Sequence, residues 1–162
     1  MSLTAPQSLD SAHLLDKFAC GEQLLDDWLK RRALANQLNG ASRTFVVANA
    51  SNDVVGFYTL AAGSVTRGIA TGNVRRNMPE PIPVIVLGRL AVALSYQGQR
   101  LGLSMLRDAL LRSQAVARQA GVRAMLVHAL SENAARFYSA HGFLPSPMEP
   151  LTLMLTLPIS ES

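Results

Sequence analysis

The 162-residue sequence has few of the residues that build disulfides and metal sites. Cys20 is its single cysteine, which excludes an internal disulfide and a zinc site made of several cysteines. The three histidines, His13, His128 and His141, stand far apart and lack the spacing of metal ligands. We therefore predict no metal site. The low cysteine content also fits a reducing cytoplasm.

Long apolar runs are also missing, although apolar residues make up 49% of the chain. No run reaches the ~20 residues that cross a bilayer. Residues 1–9 lack the basic start and apolar stretch of a signal peptide. The apolar content excludes wholesale disorder, and the length suits one compact domain. These absences together predict a single cytoplasmic domain over residues 1–162.

Lysine is nearly absent, because the 15 basic residues include only Lys17 and Lys30 and the others are arginines. The formal net charge is +4. Arginine suits bidentate binding of phosphate, and a basic surface attracts nucleic acid or other polyanions. The charge excess indicates such a partner but does not identify it.

The hydrophobic pattern predicts a mixture of helices and strands. Strands are predicted at 14–18, 43–48, 54–62, 84–92, 123–129 and 151–157, and helices from Gly21 to Gly40, at 102–120 and at 133–141. The segment 66–83 is rich in glycine, proline and arginine and predicts a mobile loop with a short helix. This order of elements predicts a mixed α/β layered domain.

A polar loop with two glycines joins the buried strand at 84–92 to the helix that follows. Glycine lets backbone N–H groups turn toward a bound anion, and a helix N-terminus adds unpaired N–H groups and its dipole. The segment Gln97–Leu106 is therefore a candidate pyrophosphate cradle. The same residues also fit an ordinary connection in which the glycines only make the turn.

Two motifs resemble the GNAT acetyltransferase superfamily. The family signature, Gln/Arg-x-x-Gly-x-Gly/Ala, falls on Gln97–Gly102, and a second element, Asn-x-x-Ala-x-x-Phe-Tyr, resembles Asn133–Tyr138 and the Gly142–Phe143 ending. The resemblance covers residues 44–157. It departs at Arg100, where the signature has the glycine that lets backbone approach phosphate. Arg100 either narrows the cradle, contacts a phosphate or turns to solvent.

The resemblance implies a GNAT fold of the α/β class, with a mixed, mostly antiparallel central sheet flanked by helices. The central strands of this fold splay apart, and the pantetheine arm of acetyl-CoA pairs with the exposed backbone. Acetyl-CoA is thus the implied cofactor. The implied cofactor-binding residues are Leu90, Ala91 and Val92 for pantetheine, Gln97, Gly98, Gln99, Arg100, Leu101, Gly102 and Ser104 for pyrophosphate, and Asn133 and Phe137 at the thioester end.

Five further segments resemble one branch of that family, the GNAT toxins of bacterial toxin–antitoxin modules. They are residues 18–22, 26–29, 41–45, 87–92 and 151–154. This resemblance implies transfer of acetyl to the α-amino group of aminoacyl-tRNA, which stops translation. It also implies a ribbon-helix-helix antitoxin, operator DNA bound only through that antitoxin, and a homodimer.

Tyr138 is the implied catalytic residue, a general acid that protonates the departing CoA thiolate. A tyrosine with a reference pKa near 10 is protonated at neutral pH and can donate. The alternative is a packed aromatic beside Phe137 and Phe143. The central strand at 84–92 carries no Glu or Asp to act as a base. An α-amine, with a reference pKa near 7.7–8.0, needs less help than lysine, so this absence favours an α-amine acceptor.

Basic residues are the candidates for contacts with the tRNA body. The favoured set is Lys30, Arg31, Arg75, Arg76 and Arg89, and the wider set adds Arg32, Arg43 and Arg67. Arg31 and Arg32 also fit the solvated side of a helix. Arg89 on a buried strand fits either a carboxylate partner or the active-site groove. Two other functions stay open: a GNAT enzyme acting on a small amine or a protein N-terminus, and a non-catalytic CoA-binding or repressor module.

Overall fold

The structure, a computed structural model, describes residues 2–157. The strands are β1 (Gln7–Ser8), β2 (Arg43–Ala48), β3 (Val54–Val65), β4 (Ile82–Val92), β5 (Ala124–His128), β6 (Leu144–Pro145) and β7 (Thr152–Thr156). The helices are α1 (Gln23–Arg31), α2 (Ala33–Asn39), α3 (Gly72–Arg75), α4 (Leu101–Ala117) and α5 (Glu132–Ser139). The strands form one sheet in the order β1-β2-β3-β4-β5-β7-β6. The chain divides into two compact units, the first comprising residues up to 61 with 88–109, and the second 62–87 with the residues from 110 onward.

The first unit has its core where helix α1 meets the antiparallel strands β1, β2 and β3. The Phe57 ring lies 5.4 Å from Phe18 and 6.1 Å from Trp28, measured between centroids. Leu29 on α1 and Phe57 on β3 are fully buried. Burial of such side chains stabilises a fold by roughly 1.5–3 kcal/mol each. The apolar positions of α1 therefore hold it against β3.

The second unit is built around β5, which pairs with β4 in parallel and with β7 in the antiparallel sense. The parallel ladder ends at Leu87↔Val127, whereas β4 itself continues to Val92. One face of this part of the sheet is covered by the segment that contains α3. The buried residues of that cluster are Ala70, Val74, Ile82, Val84, Ala124, Leu126 and Met154.

The α/β class, the mostly antiparallel sheet and the main elements are confirmed. Strand β2 has the predicted bounds, and β3 runs three residues past its predicted end. The predicted helix from Gly21 is two helices, because Arg32 at φ −121° interrupts it. Gly40 ends the second one in the left-handed conformation.

Two sequence predictions are wrong. Residues 14–18 are not a strand: Leu14 makes only an isolated bridge to Asp53, and the first strand is Gln7–Ser8. The segment 66–83 is anchored rather than a mobile loop, because Ala70 and Val74 are fully buried in it, although its predicted short helix is confirmed as α3. The short strand β6 was not predicted. No helix within residues 2–157 is long and apolar enough to cross a membrane.

Candidate functional site

The candidate anion cradle lies in the first unit, between β4 and α4. A 3-10 turn at Leu94–Tyr96 is followed by two residues in the left-handed conformation, Gly98 at φ 80° and Arg100 at φ 63°. Helix α4 then begins at Leu101, and its first N–H groups have no partner one turn earlier in the helix. A Cβ added at Gly98 would meet nothing within 4 Å, so the loop surface is open there. Open backbone and unpaired N–H groups fit a pyrophosphate.

Arg100 adopts the backbone conformation of the glycine that the family signature has at this place. An L-residue in this conformation costs roughly 1–2 kcal/mol relative to its right-handed alternative. The loop therefore keeps the backbone conformation expected for a glycine at this position, and the backbone of Arg100 is strained in it. The side chain is exposed, which fits either contact with a phosphate or solvent.

The side chain of Gln97 is engaged inside the protein. Its Nε2 donates to the carbonyl oxygens of Cys20 and Val92, each at 2.9 Å. A side-chain amide has two N–H protons, and both are in use here. The geometry therefore makes Gln97 a tie between the end of β4 and the segment before α1. The predicted contact of Gln97 with pyrophosphate stays a prediction, and in this arrangement its side-chain amide protons are already donated.

The first turns of α4 are fixed against β3. A Cβ added at Gly56 would lie 3.1 Å from the side chain of Met105 and 3.3 Å from that of Leu101, so the side chains of α4 pack tightly over this glycine. The hydroxyl of buried Tyr58 donates to the carboxylate of Asp108. These contacts set the position of the N–H groups at the start of α4.

The β4 residues predicted to contact pantetheine differ in exposure. Ala91 is buried, whereas Leu90 and Val92 are half-buried. Their side chains alternate across the strand, so Leu90 and Val92 share the more open face. The backbone N–H of Ala93 donates to Val55 at 2.8 Å.

Tyr138 lies in the second unit, on α5. Ser131 caps this helix by accepting a hydrogen bond from the Ala134 N–H at 3.1 Å. The Tyr138 ring packs 5.2 Å from Phe137 and 5.5 Å from Phe143, centroid to centroid, and is 7% exposed. Burial raises the pKa of Tyr138 to about 12. The hydroxyl therefore stays protonated well above neutral pH. A packed aromatic and a proton donor are compatible roles for it.

Asn133 and Tyr138 lie on different sides of α5, because Asn133 is exposed and the ring of Tyr138 is buried. Its side chain is exposed, and its Oδ1 accepts a hydrogen bond from the Arg136 guanidinium. When the motif ending is set on Phe137 and Tyr138, the motif asparagine falls on position 131, where Ser131 stands. The sequence prediction therefore assigned the asparagine two residues too late. Asn133 lies on the solvent side of α5, and its predicted place at the thioester end stays a prediction.

The first unit contains several of the basic residues that were predicted to contact tRNA. Lys30, Arg31 and Arg32 are exposed at the end of α1. The guanidinium of Arg89 lies 3.9 Å from the centroid of the Trp28 ring. Burial lowers the pKa of Arg89, although an arginine remains charged at neutral pH. Of the two predicted environments of Arg89, a carboxylate partner or the active-site groove, neither includes this aromatic face, which the structure places against the guanidinium.

Arg75 and Arg76, in the second unit, are exposed at the end of α3. Two other arginines hold this segment in place. The Arg67 guanidinium donates to the carbonyls of Arg75 and Met78 at 2.8 and 2.6 Å. The Arg123 guanidinium donates to the carbonyls of Asn73 and Val74 at 2.9 and 3.2 Å. Arg67, predicted in the wider tRNA set, is thus used internally.

Sequence reasoning missed Arg123 altogether, because its acceptors lie about fifty residues away along the chain. Its position directly before the buried strand β5 was the available signal. Among residues 2–157 there is no group of three or more His, Cys, Asp or Glu side chains that could hold a metal ion.

Comparison with known proteins identifies this arrangement. The family model of the acetyltransferase (GNAT) domain matches residues 40–145. The chain is 49% identical over 154 residues to a tRNA-acetylating toxin of Mycobacterium tuberculosis, covering 95% of this chain and 92% of that protein.

Solved structures of the AtaT toxin are also similar. AtaT complexed with acetyl-methionyl-tRNAfMet has a TM-score of 0.88 at 27% identity, covering 96% of this chain and 95% of that one. A tyrosine-to-phenylalanine mutant of AtaT, bound to the C-terminus of the antitoxin AtaR and acetyl-CoA, has a TM-score of 0.82 at 27% identity and covers 96% and 94%. The family model spans well over half of the chain, and the chain belongs to the GNAT acetyltransferase family.

Proposed function

We propose that this enzyme transfers an acetyl group from acetyl-CoA to the α-amino group of an aminoacyl-tRNA and so blocks translation as the toxin of a toxin–antitoxin pair. The observation that carries the proposal is the 49% identity, over 95% of the chain, to a tRNA-acetylating toxin. The complex of AtaT with an acetylated aminoacyl-tRNA supports the same substrate class. We also propose that residues 1–162 act as one domain.

The donor side of the proposed reaction uses the loop after β4. Acetyl-CoA, when bound, supplies the acetyl group as a reactive thioester. The backbone from Gly98 to Leu103, including the start of α4, would hold its pyrophosphate, with Arg100 beside it. The open face of β4 at Leu90 and Val92 would contact the pantetheine arm. The side chain of Gln97 would hold this loop to the end of β4 and to Cys20.

Tyr138 is the proposed general acid. It donates its proton to the leaving sulfur as the C–S bond breaks. The raised pKa keeps the hydroxyl protonated at neutral pH, and the apolar rings around it exclude water. The existence of a tyrosine-to-phenylalanine mutant of AtaT bound to acetyl-CoA supports a functional tyrosine in this family.

Exposed basic side chains would bind the aminoacyl-tRNA, which accepts the acetyl group. Lys30 and Arg31 in the first unit and Arg75 and Arg76 in the second would contact tRNA phosphates, since each is exposed. Arg89 has its guanidinium over the ring of Trp28, and it would contact a phosphate or a base of the tRNA.

The proposed partners follow from the toxin relatives. AtaT is bound by the C-terminus of its antitoxin AtaR, and we propose an antitoxin for this chain, with a ribbon-helix-helix domain that alone contacts operator DNA. We also propose a homodimer. Because charged tRNA is used in the cytoplasm, the proposed site of action is the cytoplasm.

The test is an acetylation assay with charged tRNA. The protein is incubated with labelled acetyl-CoA and a full set of aminoacyl-tRNAs, and the digest is searched for N-acetyl-aminoacyl-adenosine. Uncharged tRNA and the free amino acids serve as controls. We expect label on one or a few aminoacyl-tRNAs and none on the controls. Absence of label with every charged tRNA contradicts the proposal, and label on small amines or peptide N-termini then favours the alternative enzyme.

A further inference from the structure

Strand β4 carries a single ionisable side chain, that of Arg89. Its guanidinium carbon lies 3.9 Å from the centroid of the Trp28 ring on α1. In the part of the chain that the structure describes, this half-buried guanidinium has no hydrogen bond and no ion pair. Burial lowers the pKa of Arg89, because a cation is partly removed from water without a charged partner among those residues. The N–H donors of Arg89 are therefore available to a ligand.

The contact with Trp28 holds this cation in place without neutralising it. A carboxylate partner would occupy the N–H donors and cancel the positive charge. An aromatic face attracts the cation through its quadrupole and leaves both the charge and the donors for another group. The indole itself packs against the fully buried ring of Phe57, nearly parallel to it at 9°. Arg89 is thus a fixed cation that can still bind an anion.

Arg89 lies beside the part of β4 that is assigned to the cofactor. The pairing of β4 with β5 ends at Leu87, and Leu90, a proposed pantetheine contact, directly follows Arg89. Consecutive residues of a strand are about 3.3 Å apart, so this cation and the proposed path of the acetyl donor belong to the same short stretch of strand. Gly88, on the other side of Arg89, is exposed and has no side chain, which leaves the strand open there.

Helix α1, which holds Arg89 through Trp28, also carries other positive charges. Lys30 and Arg31 are exposed in its last turn. Several cations on and against one helix favour a polyanion over a single carboxylate. The exposed pair suits phosphates on the outside of a nucleic acid, whereas half-buried Arg89 suits a phosphate that enters the site with the reacting group.

We propose that Arg89 binds the phosphodiester between the last two nucleotides of the aminoacyl-tRNA and so helps to select the acceptor. This inference rests on the proposed function. The amino acid of an aminoacyl-tRNA is an ester of the terminal ribose, and this phosphodiester is the anion nearest to the reacting amine. A small amine or a peptide N-terminus carries no phosphodiester. Arg89 therefore favours an α-amine that is presented on a nucleic acid.

The test compares two versions of a charged tRNA that the wild-type protein acetylates. In one version the terminal phosphodiester is replaced by a methylphosphonate, which keeps both nucleotides but has no charge. We expect the wild-type kcat/KM to fall by at least about 10-fold with this tRNA, because a charge-assisted hydrogen bond is lost. A tRNA with the methylphosphonate in its anticodon loop is the matched control for the loss of one charge.

Three variants assign the effect to Arg89. Arg89→Gln should lower kcat/KM for the normal tRNA by at least about 10-fold and lose nothing further with the terminal methylphosphonate. Arg89→Lys keeps the charge without the planar fork and should keep part of the selectivity. Arg107→Gln, which removes an exposed arginine of α4, is the control for net charge and should keep all of it.

Two outcomes of the kinetic comparison overturn the proposal. One is a wild-type protein that is indifferent to the terminal methylphosphonate, and if Arg89→Gln is nevertheless slow, the guanidinium contacts a base instead. The other is an Arg89→Gln variant that discriminates between the two tRNAs as strongly as the wild-type protein. If the glutamine variant is unstable, the wild-type protein and Arg89→Lys still decide the question.

The second readout needs no turnover. In the ¹⁵N NMR spectrum, the Nε–H signal of Arg89 is identified by its loss in Arg89→Gln. We expect this signal to shift when the trinucleotide CCA without an amino acid is added, and to stay in place with a CCA whose terminal linkage is a methylphosphonate. Equal shifts with both, or no shift with either, overturn the proposal. If the wild-type protein acetylates no charged tRNA, the proposed function fails instead, and this titration still reports on the phosphate contact.

Discussion

Arg89 and Trp28 form a cation–π pair, with the guanidinium carbon 3.9 Å from the ring centroid. The other neighbour of the indole is Phe57, whose ring is nearly parallel to it at 9°. Strand β4, helix α1 and strand β3 are thus joined through one stack of planar groups. The stack places an aromatic face against a half-buried cation on β4.

The Arg89–Trp28 pair is expected to contribute a measurable coupling free energy. A half-buried cation–π contact is worth about 1 kcal/mol. The measurement is a double-mutant cycle of Arg89→Ala and Trp28→Leu, read from the free energy of unfolding in urea. The variant Arg89→Lys keeps the charge and serves as the control for charge alone. Strictly additive single effects would contradict an energetic role for the contact.

Tyr138→Phe is expected to lower kcat at least about 100-fold and to leave the Kd for acetyl-CoA unchanged. The reason is that phenylalanine keeps the packing between Phe137 and Phe143 but has no proton to donate. Calorimetry gives the Kd, and a single-turnover assay gives the rate. A variant with wild-type turnover would remove Tyr138 from the mechanism.

The same tyrosine predicts a loss of stability at high pH. Its pKa is about 12 in the folded protein and near 10 in the unfolded chain, so the folded state favours the protonated form. The associated stability is fully present below pH 10 and is lost as the pH rises toward 12, by about 3 kcal/mol in all. Urea unfolding at several pH values measures it. Tyr138→Phe should show a correspondingly shallower decline over this window, and equal slopes would refute the assignment.

Arg100→Gly should be more stable than Arg100→Ala by about 1 kcal/mol. Both variants lose the guanidinium, but only glycine adopts φ near 63° without strain. Thermal unfolding of the pair isolates the backbone effect. Titration with acetyl-CoA then isolates the side chain: equal weakening in both variants indicates that the guanidinium contacts phosphate, and equal wild-type affinity indicates that it faces solvent. An alanine variant as stable as the glycine variant would mean that the strain is absent.

Arg123→Gln should raise the KM for charged tRNA several-fold while kcat stays near the wild-type value. The guanidinium holds the carbonyls of Asn73 and Val74, and its loss frees the segment that presents Arg75. Hydrogen exchange of the amides in residues 74–78 should speed up in parallel. Arg107→Gln, which removes one exposed arginine of α4, is the control for net charge. An equal change in both variants would assign the effect to charge rather than to position.

The helices and strands whose apolar residues recur at regular spacing were predictable from the sequence. The elements that form only by pairing with another part of the chain were not. Strand β2 was placed correctly because its run from Thr44 to Ala48 is buried throughout. Strand β1 has two exposed residues and exists only through its pairing with Val46 and Phe45. Leu14 lies in an apolar stretch, yet that stretch forms a single bridge.

The same division holds for the site. The left-handed turns and the helix start after β4 follow from Gly98 and the signature. The engagement of the Gln97 amide could not be foreseen, because one of its two acceptors, Cys20, is 77 residues away. The acceptors of Arg123 could not be foreseen for the same reason, because they lie about fifty residues away along the chain. A contact between residues that are far apart in the sequence cannot be predicted from the pattern of neighbouring residues.

The tie made by Gln97 gives this protein a built-in reporter. Cys20, whose carbonyl Gln97 holds, has a thiol with a pKa raised to about 11 by burial and by Asp26. A thiol with so high a pKa carries little thiolate at neutral pH and is therefore slow to alkylate. A ligand that orders the loop after β4 also orders the backbone at Cys20, so acetyl-CoA should slow alkylation further, and Gln97→Leu should accelerate it. The alkylation rate of Cys20, followed by mass spectrometry, would therefore report whether the loop after β4 is occupied by its ligand.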